Sequence, residues 1–362
     1  MLKFIHAADF HLDSPFGALT AQQAAARRRE SRELAFRLAN YVNQQGIDLV
    51  LLAGDLFDSN SAFRETGEQL AQAFGQMRAR VFVAPGNHDW YGPGSPWLTV
   101  NWPENVTIFR ENLLTAVDIP EWNLTIHGAA FTGDQQTAGF LAGFAAPEDG
   151  RTHIGLLHGE VDPAEDRYGP IRREEIAGSG LTYLALGHIH KRTEPFRCGG
   201  TLCAWPGCPE GRGFDELGEK GFYAGVLQDG QVTLRFVPLG RHRYWVLPVD
   251  VTGRDAAEGI ESALPAGAEG DLCRILLRGE SSGLDCNALQ RRFAGRCEYL
   301  ELRDETSLPQ DLWKRAEEDS LRGLFLRQLR EKLESAETEA EREVVRQAAR
   351  FGLAALEGRD LV

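Results

Sequence analysis

No stretch of this sequence approaches the uninterrupted apolar length needed to cross a bilayer, and the opening Met1-Leu2-Lys3-Phe4-Ile5-His6 lacks the apolar core of a secretion signal. Both absences predict a cytoplasmic protein with no membrane partner. A positive balance is missing too: the formal charge is -14, which argues against a chain that holds nucleic acid by bulk electrostatics. A local exception stays open, because bound divalent cations can attract phosphate to a site while the molecule as a whole repels it. The cysteines include no Cys-x-x-Cys pair: Cys198, Cys203 and Cys208 are five apart and Cys273, Cys286 and Cys297 are scattered, so reduced structural thiols are expected.

What is present begins at residues 49–53, an apolar run that empties into Gly54-Asp55-Leu56-Phe57-Asp58. The run reads as a buried strand, Gly54 permits a sharp turn, and Asp55 is delivered to the carboxyl edge of a sheet, where open α/β folds keep their chemistry. Residues 3–8 form an earlier strand that hands Asp9 and His11 to the same edge; in an extended segment a spacing of two puts both side chains on one face. The competing reading is a turn carboxylate beside a surface histidine. Thr20 with Gln23 makes a capping box, and Leu34, Leu38, Tyr41 and Val42 then follow helical spacing up to Gly46. Leu70, Phe74 and Met77 mark a second helix before the strand at 81–84, and two βα units in succession predict an α/β architecture.

That third strand runs into Gly86-Asn87-His88-Asp89, where an amide oxygen and an imidazole follow a tight turn. Trp90, Tyr91 and Trp97 come next in a Gly- and Pro-rich loop that either packs on itself or stacks on bases. Strands at 106–109, 124–127, 154–157 and 183–186 build the second half; two of them end in His158 and in Gly187-His188-Ile189-His190. His188 and His190 repeat the spacing logic of Asp9 and His11. His6, His127, His153 and His242 lack such a setting and are expected to be structural. At 362 residues the chain exceeds one core, and three segments are expected: residues 1–240, completed by short antiparallel hairpins over 201–238; a small α/β module at 241–306; and a helical tail at 307–362.

Collected in order, Asp9-x-His11, Gly54-Asp55-x-x-Asp58, Gly86-Asn87-His88-Asp89, His158 and Gly187-His188-x-His190 each close an expected strand. This set resembles the calcineurin-like metallophosphoesterase superfamily. The resemblance implies a two-sheet sandwich flanked by helices, one metal on Asp9, His11, Asp55 and His190, and a second on Asp55, Asn87, His158 and His188. It further implies a catalytic pair, His88 aimed at the phosphoryl oxygen or leaving group and Asp58 accepting its proton and fixing the ring. Oxygen and imidazole donors without thiolate suit two divalent ions, manganese first and iron or zinc as alternatives.

Within the superfamily, residues 4–16 look like the YhaO branch of the SbcD-type DNA repair exonucleases. Trp205-Pro206-Gly207-Cys208-Pro209-Glu210 and Glu219-Lys220-Gly221-Phe222 resemble the passage from such a catalytic domain to its small capping domain, although Cys208 stands where serine is usual. The implied activity is metal-dependent exonucleolytic hydrolysis of duplex DNA in repair. The implied partner is an SMC-like ATPase bound through the capping domain and C-terminal helices, and a homodimer is compatible with this arrangement. The competing functions are a phosphodiesterase for cyclic or small nucleotides and a non-catalytic adaptor of such an ATPase.

Overall fold

Near-continuous apolar runs are buried on both faces here, and they build two sheets packed against each other. The computed structural model describes residues 1–17, 19–281, 283–307 and 309–356; Leu308 and residues 357–362 of the expected tail lie outside the described residues. In the first sheet β1 (Leu2–Ala7), β2 (Leu49–Leu52), β3 (Arg80–Val83) and β4 (Val106–Ile108) run parallel, connected through α1 (Ala21–Gln45), α2 (Arg64–Gly75) and the short α3 (Pro96–Thr99). Thr20 caps α1 in a reciprocal box with Gln23, and Gly46 closes it in the left-handed conformation at φ 61.

The second sheet uses β5 (Thr115–Ile119), β6 (Leu124–Gly128), β7 (Thr152–His158), β10 (Tyr183–Gly187), β11 (Phe196–Cys198) and β12 (Thr201–Ala204); between β7 and β10 lie the paired β8 (Glu160–Val161) and β9 (Pro170–Ile171) and α4 (Arg173–Gly178). The chain then returns to the first sheet with β13 (Gly221–Gln228) and β14 (Gln231–Pro238), β13 antiparallel to β1. The strand orders are β14-β13-β1-β2-β3-β4 and β11-β12-β10-β7-β6-β5. Hairpins over 201–238 are only part of the outcome, because β12 pairs with β10 in parallel.

Side-chain alternation sorts the layers. Phe4, Leu49, Leu51 and Phe82 face Ile126, Ile154, Leu156 and Tyr183 between the sheets. Ile5, Val50, Leu52, Val81 and Val83 point the other way, into Leu34, Leu38 and Val42 of α1 and Leu70 and Phe74 of α2. Leu157, Leu184 and Leu186 cover the outer face of the second sheet against Ile176 of α4, Phe131 and Phe140. The result is a mixed α/β sandwich of two sheets with helices outside, in which β1, β2, β3, β7 and β10 all end at one rim.

The chain divides into two units, Met1–Arg241 and His242–Val362. The second holds a parallel sheet of β15 (Tyr244–Asp250), β16 (Leu272–Arg278) and β17 (Tyr299–Asp304) covered by α5 (Ala256–Ala263) and α6 (Cys286–Phe293), followed by α7 (Leu321–Ser335) and α8 (Glu339–Leu356). Arg350 of α8 bonds to Asp304 and to the Thr306 carbonyl, tying that helix to the end of β17. All six cysteines are free, and among the described residues no helix is long and apolar enough to cross a membrane.

Candidate metal centre

Past the ends of β1 and β2 the two segments keep running side by side. The Asp9 amide donates to Gly54 O (3.0 Å), His11 to Asp55 O (2.9 Å), Leu12 to Leu56 O (2.9 Å) and Asp58 back to Leu12 O (2.9 Å). This ladder, not an extended strand, places Asp9 and His11. Both have left-handed backbone, φ 56 and 44, as do Asp55 at 51 and His188 at 97. The spacing argument from an extended segment is therefore corrected: local turns deliver these side chains, and His188 and His190 diverge into different clusters.

Three donor groups result among the described residues. His11, Asp58 and the exposed His88 form one at the mouth. Deeper in, Asp9, His11 and His190 offer atoms within 4.8 Å of one another, and so do Asp55, His158 and His188. Asp55 Oδ2 faces both deeper groups, 3.7 Å from His11 Nε2 and 3.2 Å from His158 Nε2. Asn87 Oδ1 joins the second of them, 2.9 Å from His158 Nε2 and 3.2 Å from His188 Nδ1. Burial is graded: Asp9, His11, Asp55 and His158 form a closed floor, Asn87, His188 and His190 are half-buried, and His88 is exposed.

The chemistry of these donors fits divalent cations. His158 Nδ1 lies 2.8 Å from the Ala53 carbonyl, which only accepts, so this nitrogen carries a proton, and Nε2 is turned to two further acceptors, Asp55 Oδ2 and Asn87 Oδ1. Asp9 Oδ2 is buried without any hydrogen-bond partner. The protonation equilibria reflect the same crowding. Burial alone would lower His158, yet Asp55 and Asp9 bring it up to about 9. Burial and the nearby Asp55 raise Asp9, while burial and His158 push His188 down to about 3. A floor that draws a proton this strongly is one where a metal ion can replace it.

Close approach of the loops sets the glycines. A Cβ on Gly54 (φ 85) would lie 2.5 Å from His158 Nδ1, and one on Gly86 would collide with Asp55 Oδ1. Asp89 then locks the two loops together. Its carboxylate accepts from the amides of Gly86 (2.7 Å), Leu56 (2.8 Å), Asp55 (3.2 Å) and Phe57 (3.3 Å).

The expected catalytic pair meets differently. His88 Nδ1 lies 3.0 Å from the Asp58 main-chain carbonyl, so it is the backbone of Asp58 that holds the ring. The Asp58 carboxylate stays within 4.8 Å of a His88 ring nitrogen but takes its hydrogen bonds from Ser14 Oγ at 2.7 Å and Arg212 Nη1 at 3.2 Å, with His11 Nδ1 also 3.2 Å away. Those neighbours outweigh partial burial and hold it below the usual carboxylate range. Glu216 and Arg212, which no motif pointed to, reach the outer side of His190. Trp97 is buried, stacked on Trp102 at 5.1 Å, with its indole N–H donating to Asp89 O, so it packs and does not face the site. His6 bonds Tyr183 Oη and Leu186 O, and His127 bonds His153, all away from the cluster.

A two-sheet sandwich that gathers carboxylate, imidazole and amide donors at the ends of its parallel strands defines a metallophosphoesterase-type centre. The chain belongs to the calcineurin-like phosphoesterase family, whose model matches residues 2–192. It is 32% identical over 252 residues to the uncharacterized metallophosphoesterase YhaO of Bacillus subtilis (strain 168), a match spanning 65% of this chain and 60% of that protein's length. Among solved structures it is similar to TT1561 of Thermus thermophilus (11% identity, TM-score 0.40, 65% of this chain and 98% of that one). It is also similar to purple acid phosphatase PPD1 from yellow lupin seeds (14% identity, TM-score 0.42, 66% of this chain and 51% of that one).

Proposed function

We propose that this chain is a two-metal phosphodiesterase that degrades duplex DNA from its ends in repair, working in the cytoplasm. The observation that carries the two-metal reading is the position of Asp55 Oδ2 between His11 Nε2 and His158 Nε2, which joins the two deeper donor groups through one oxygen. Asp9, His11, Asp55 and His190 would hold one ion and Asp55, Asn87, His158 and His188 the other. Bound divalent ions supply a water-derived nucleophile and neutralise the attacking and leaving oxygens at phosphorus; manganese is the preferred ion for these donors, with iron or zinc as alternatives.

The protein's own part in the reaction falls to His88. With Nδ1–H donated to the Asp58 carbonyl, the other ring nitrogen is free to hold a second proton and release it to the leaving oxygen. His88 is exposed while its T-shaped neighbour His11, 4.8 Å away between ring centroids, is buried, which suits a group that meets substrate at the mouth of the site. The DNA assignment rests on the resemblance of the sequence motifs to the SbcD-type nucleases. An SMC-like ATPase is the proposed partner, gripped through the small α/β module and the C-terminal helices. Leu321, Leu324, Val344 and Phe351 on α7 and α8 are exposed apolar residues that support partner binding there, with a second copy of the chain as the other occupant.

The test is hydrolysis of linear duplex DNA by the full chain with added manganese. His88→Ala is expected to lower the rate by about 10²–10⁴ while retaining its metal. Cleavage of cyclic nucleotides but not DNA would replace the nuclease reading with a small-nucleotide phosphodiesterase. Metal-loaded protein that leaves even bis(p-nitrophenyl) phosphate intact would make the chain an adaptor. Co-purification of an ATPase that is abolished by deleting residues 309–362 would support the partner.

A further inference from the structure

We infer that Glu216 and Arg212 are positioning residues of the first metal cluster: Glu216 fixes the outer nitrogen of His190, and Arg212 ties Glu216 to Asp58, whose carboxylate lies beside the outer nitrogen of His11. The inference rests on the two-metal reading above.

The geometry runs from the outside inward. Glu216 is buried, and its Oε1 lies 2.8 Å from His190 Nδ1. A carboxylate there selects the tautomer with the proton on Nδ1 and leaves Nε2 with its lone pair. Asp58 Oδ1 is a looser neighbour of His11 Nδ1, 3.2 Å away without a hydrogen bond, and acts on that ring by charge. The two inner nitrogens, His11 Nε2 and His190 Nε2, then face each other at 3.0 Å. With no ion bound, the two nitrogens share one proton at that separation, and a cation bound by both would take its place.

Arg212 makes the arrangement one unit. Its guanidinium donates to Glu216 through Nη2 (2.6 Å, to Oε1) and Nε (3.3 Å, to Oε2), and its main-chain amide donates to Oε2 at 2.8 Å. Nη1 reaches Asp58 Oδ1 at 3.2 Å and Ser14 Oγ at 3.4 Å. Nη2 also lies 2.9 Å from His190 Nδ1; with the proton on Nδ1 the two are donors that share Glu216 Oε1 between them. A buried glutamate without this fork would be an uncompensated charge; with it, the carboxylate stays ionised and directed at the imidazole. The same loop grips the His190 backbone, since Cys208 N (3.1 Å) and Lys220 Nζ (3.2 Å) both donate to His190 O. Because the guanidinium donors are turned toward Glu216, Asp58 and Ser14, Arg212 acts through the histidines and not as a clamp on substrate phosphate.

The experiment strips the full chain with a chelator and titrates it with manganese alone, counting bound ions by equilibrium dialysis. Hydrolysis of bis(p-nitrophenyl) phosphate is then followed over a range of manganese concentrations. The wild-type chain is expected to bind two ions. Glu216→Gln, nearly isosteric, is expected to weaken one of them by about 10–100-fold, the usual cost of losing an outer partner of a ligating histidine, and to leave the other unchanged. Its hydrolysis should recover when manganese is raised, a rescue that a merely structural defect would not show. Arg212→Lys is expected to weaken the same ion, and it carries the test should Glu216→Gln fail to fold. Wild-type affinity for both ions in the two variants overturns the inference, as does a rise in substrate KM with metal affinity unchanged. A wild-type chain that binds fewer than two ions overturns the reading beneath it, and that result is visible in the wild-type arm alone.

Discussion

Asp89 offers a sharp quantitative test of how the site is held together. It is fully buried and its carboxylate accepts four main-chain amides, two of them at 2.7 and 2.8 Å and two at 3.2 and 3.3 Å. Asp89→Ala would strand all four. At about 1–3 kcal/mol for each buried unsatisfied donor, the two short bonds alone represent roughly 2–6 kcal/mol. One effect works the other way: burial and the neighbouring Asp55 push the Asp89 carboxyl up to about 7, so its removal relieves some repulsion. The expected loss is therefore in the lower half of that range, about 3 kcal/mol, a large share of the stability of an ordinary domain. Asp89→Asn keeps the shape and one oxygen and should cost roughly half as much. Urea denaturation of the metal-stripped full chain measures both. A loss below about 1 kcal/mol for Asp89→Ala would mean that other groups hold the two loops together and would refute the reasoning.

Metal removal should destabilise the chain measurably, because an ion present at 100 times its Kd adds about 2.7 kcal/mol per site; melting curves with and without manganese check this, and coincident curves contradict it. Gly54→Ala forces a side chain into left-handed backbone at φ 85 and to 2.5 Å from His158 Nδ1, so it should cost about 1–3 kcal/mol in backbone strain and weaken manganese binding in dialysis. His6 should make stability fall with acid. Burial lowers its pKa from the ordinary 6.5 to about 3, with Tyr183 Oη (2.7 Å) and Leu186 O (3.0 Å) satisfying the neutral ring. Between pH 6.5 and 3 the unfolded chain therefore binds the extra proton, and this contribution, fully present above pH 6.5, shrinks by up to about 1.4 kcal/mol per unit as pH drops. His6→Gln should flatten that part of the curve of stability against pH, and an unaltered slope would count against the assignment.

The sandwich was legible because its strands are buried on both faces. Runs such as Leu49-Val50-Leu51-Leu52 have no polar break until the chain leaves the sheet, so the first polar residue marks the rim. The same property made Asp9, Asp55, Asn87, His158 and His188 stand out. The path between strand end and ligand was not legible: left-handed backbone at Asp9 and His11 leaves no periodic trace, and an extended chain gave the right neighbours for the wrong reason. The hydrogen bonds of the Asp58 carboxylate were not legible because its partners Ser14 and Arg212 are 44 and 154 positions away. Glu216 and Arg212 sit in a glycine-rich loop with no strand or helix to announce a direction, although an arginine and an acid four apart outside any helix were a visible cue. Asp89 lay inside a quoted motif without a role, since main-chain amides, its partners, are silent in a sequence.

These missed features share a physical cause. Asp9, His11, Asp55 and His188 each adopt a conformation that costs an ordinary residue about 1–3 kcal/mol, and the carboxylates of Asp9 and Asp55 are buried close enough for Asp55 to raise Asp9. Contacts among the ligands alone do not sustain such an arrangement, because Asp9 Oδ2 has no hydrogen-bond partner and Asp55 stands close to it. The restraint comes from outside: the Asp9–Gly54 and His11–Asp55 ladder, the Asp89 amide lock, and the carboxylates behind His11 and His190. The parallel strands β1, β2 and β3 behind the first two of these keep those donors from relaxing apart. The shell therefore has to be read before the ligands: a substitution that leaves every ligand in place but loosens Asp89 or Glu216 should cost metal affinity, whereas one on the exposed His88 should cost rate alone.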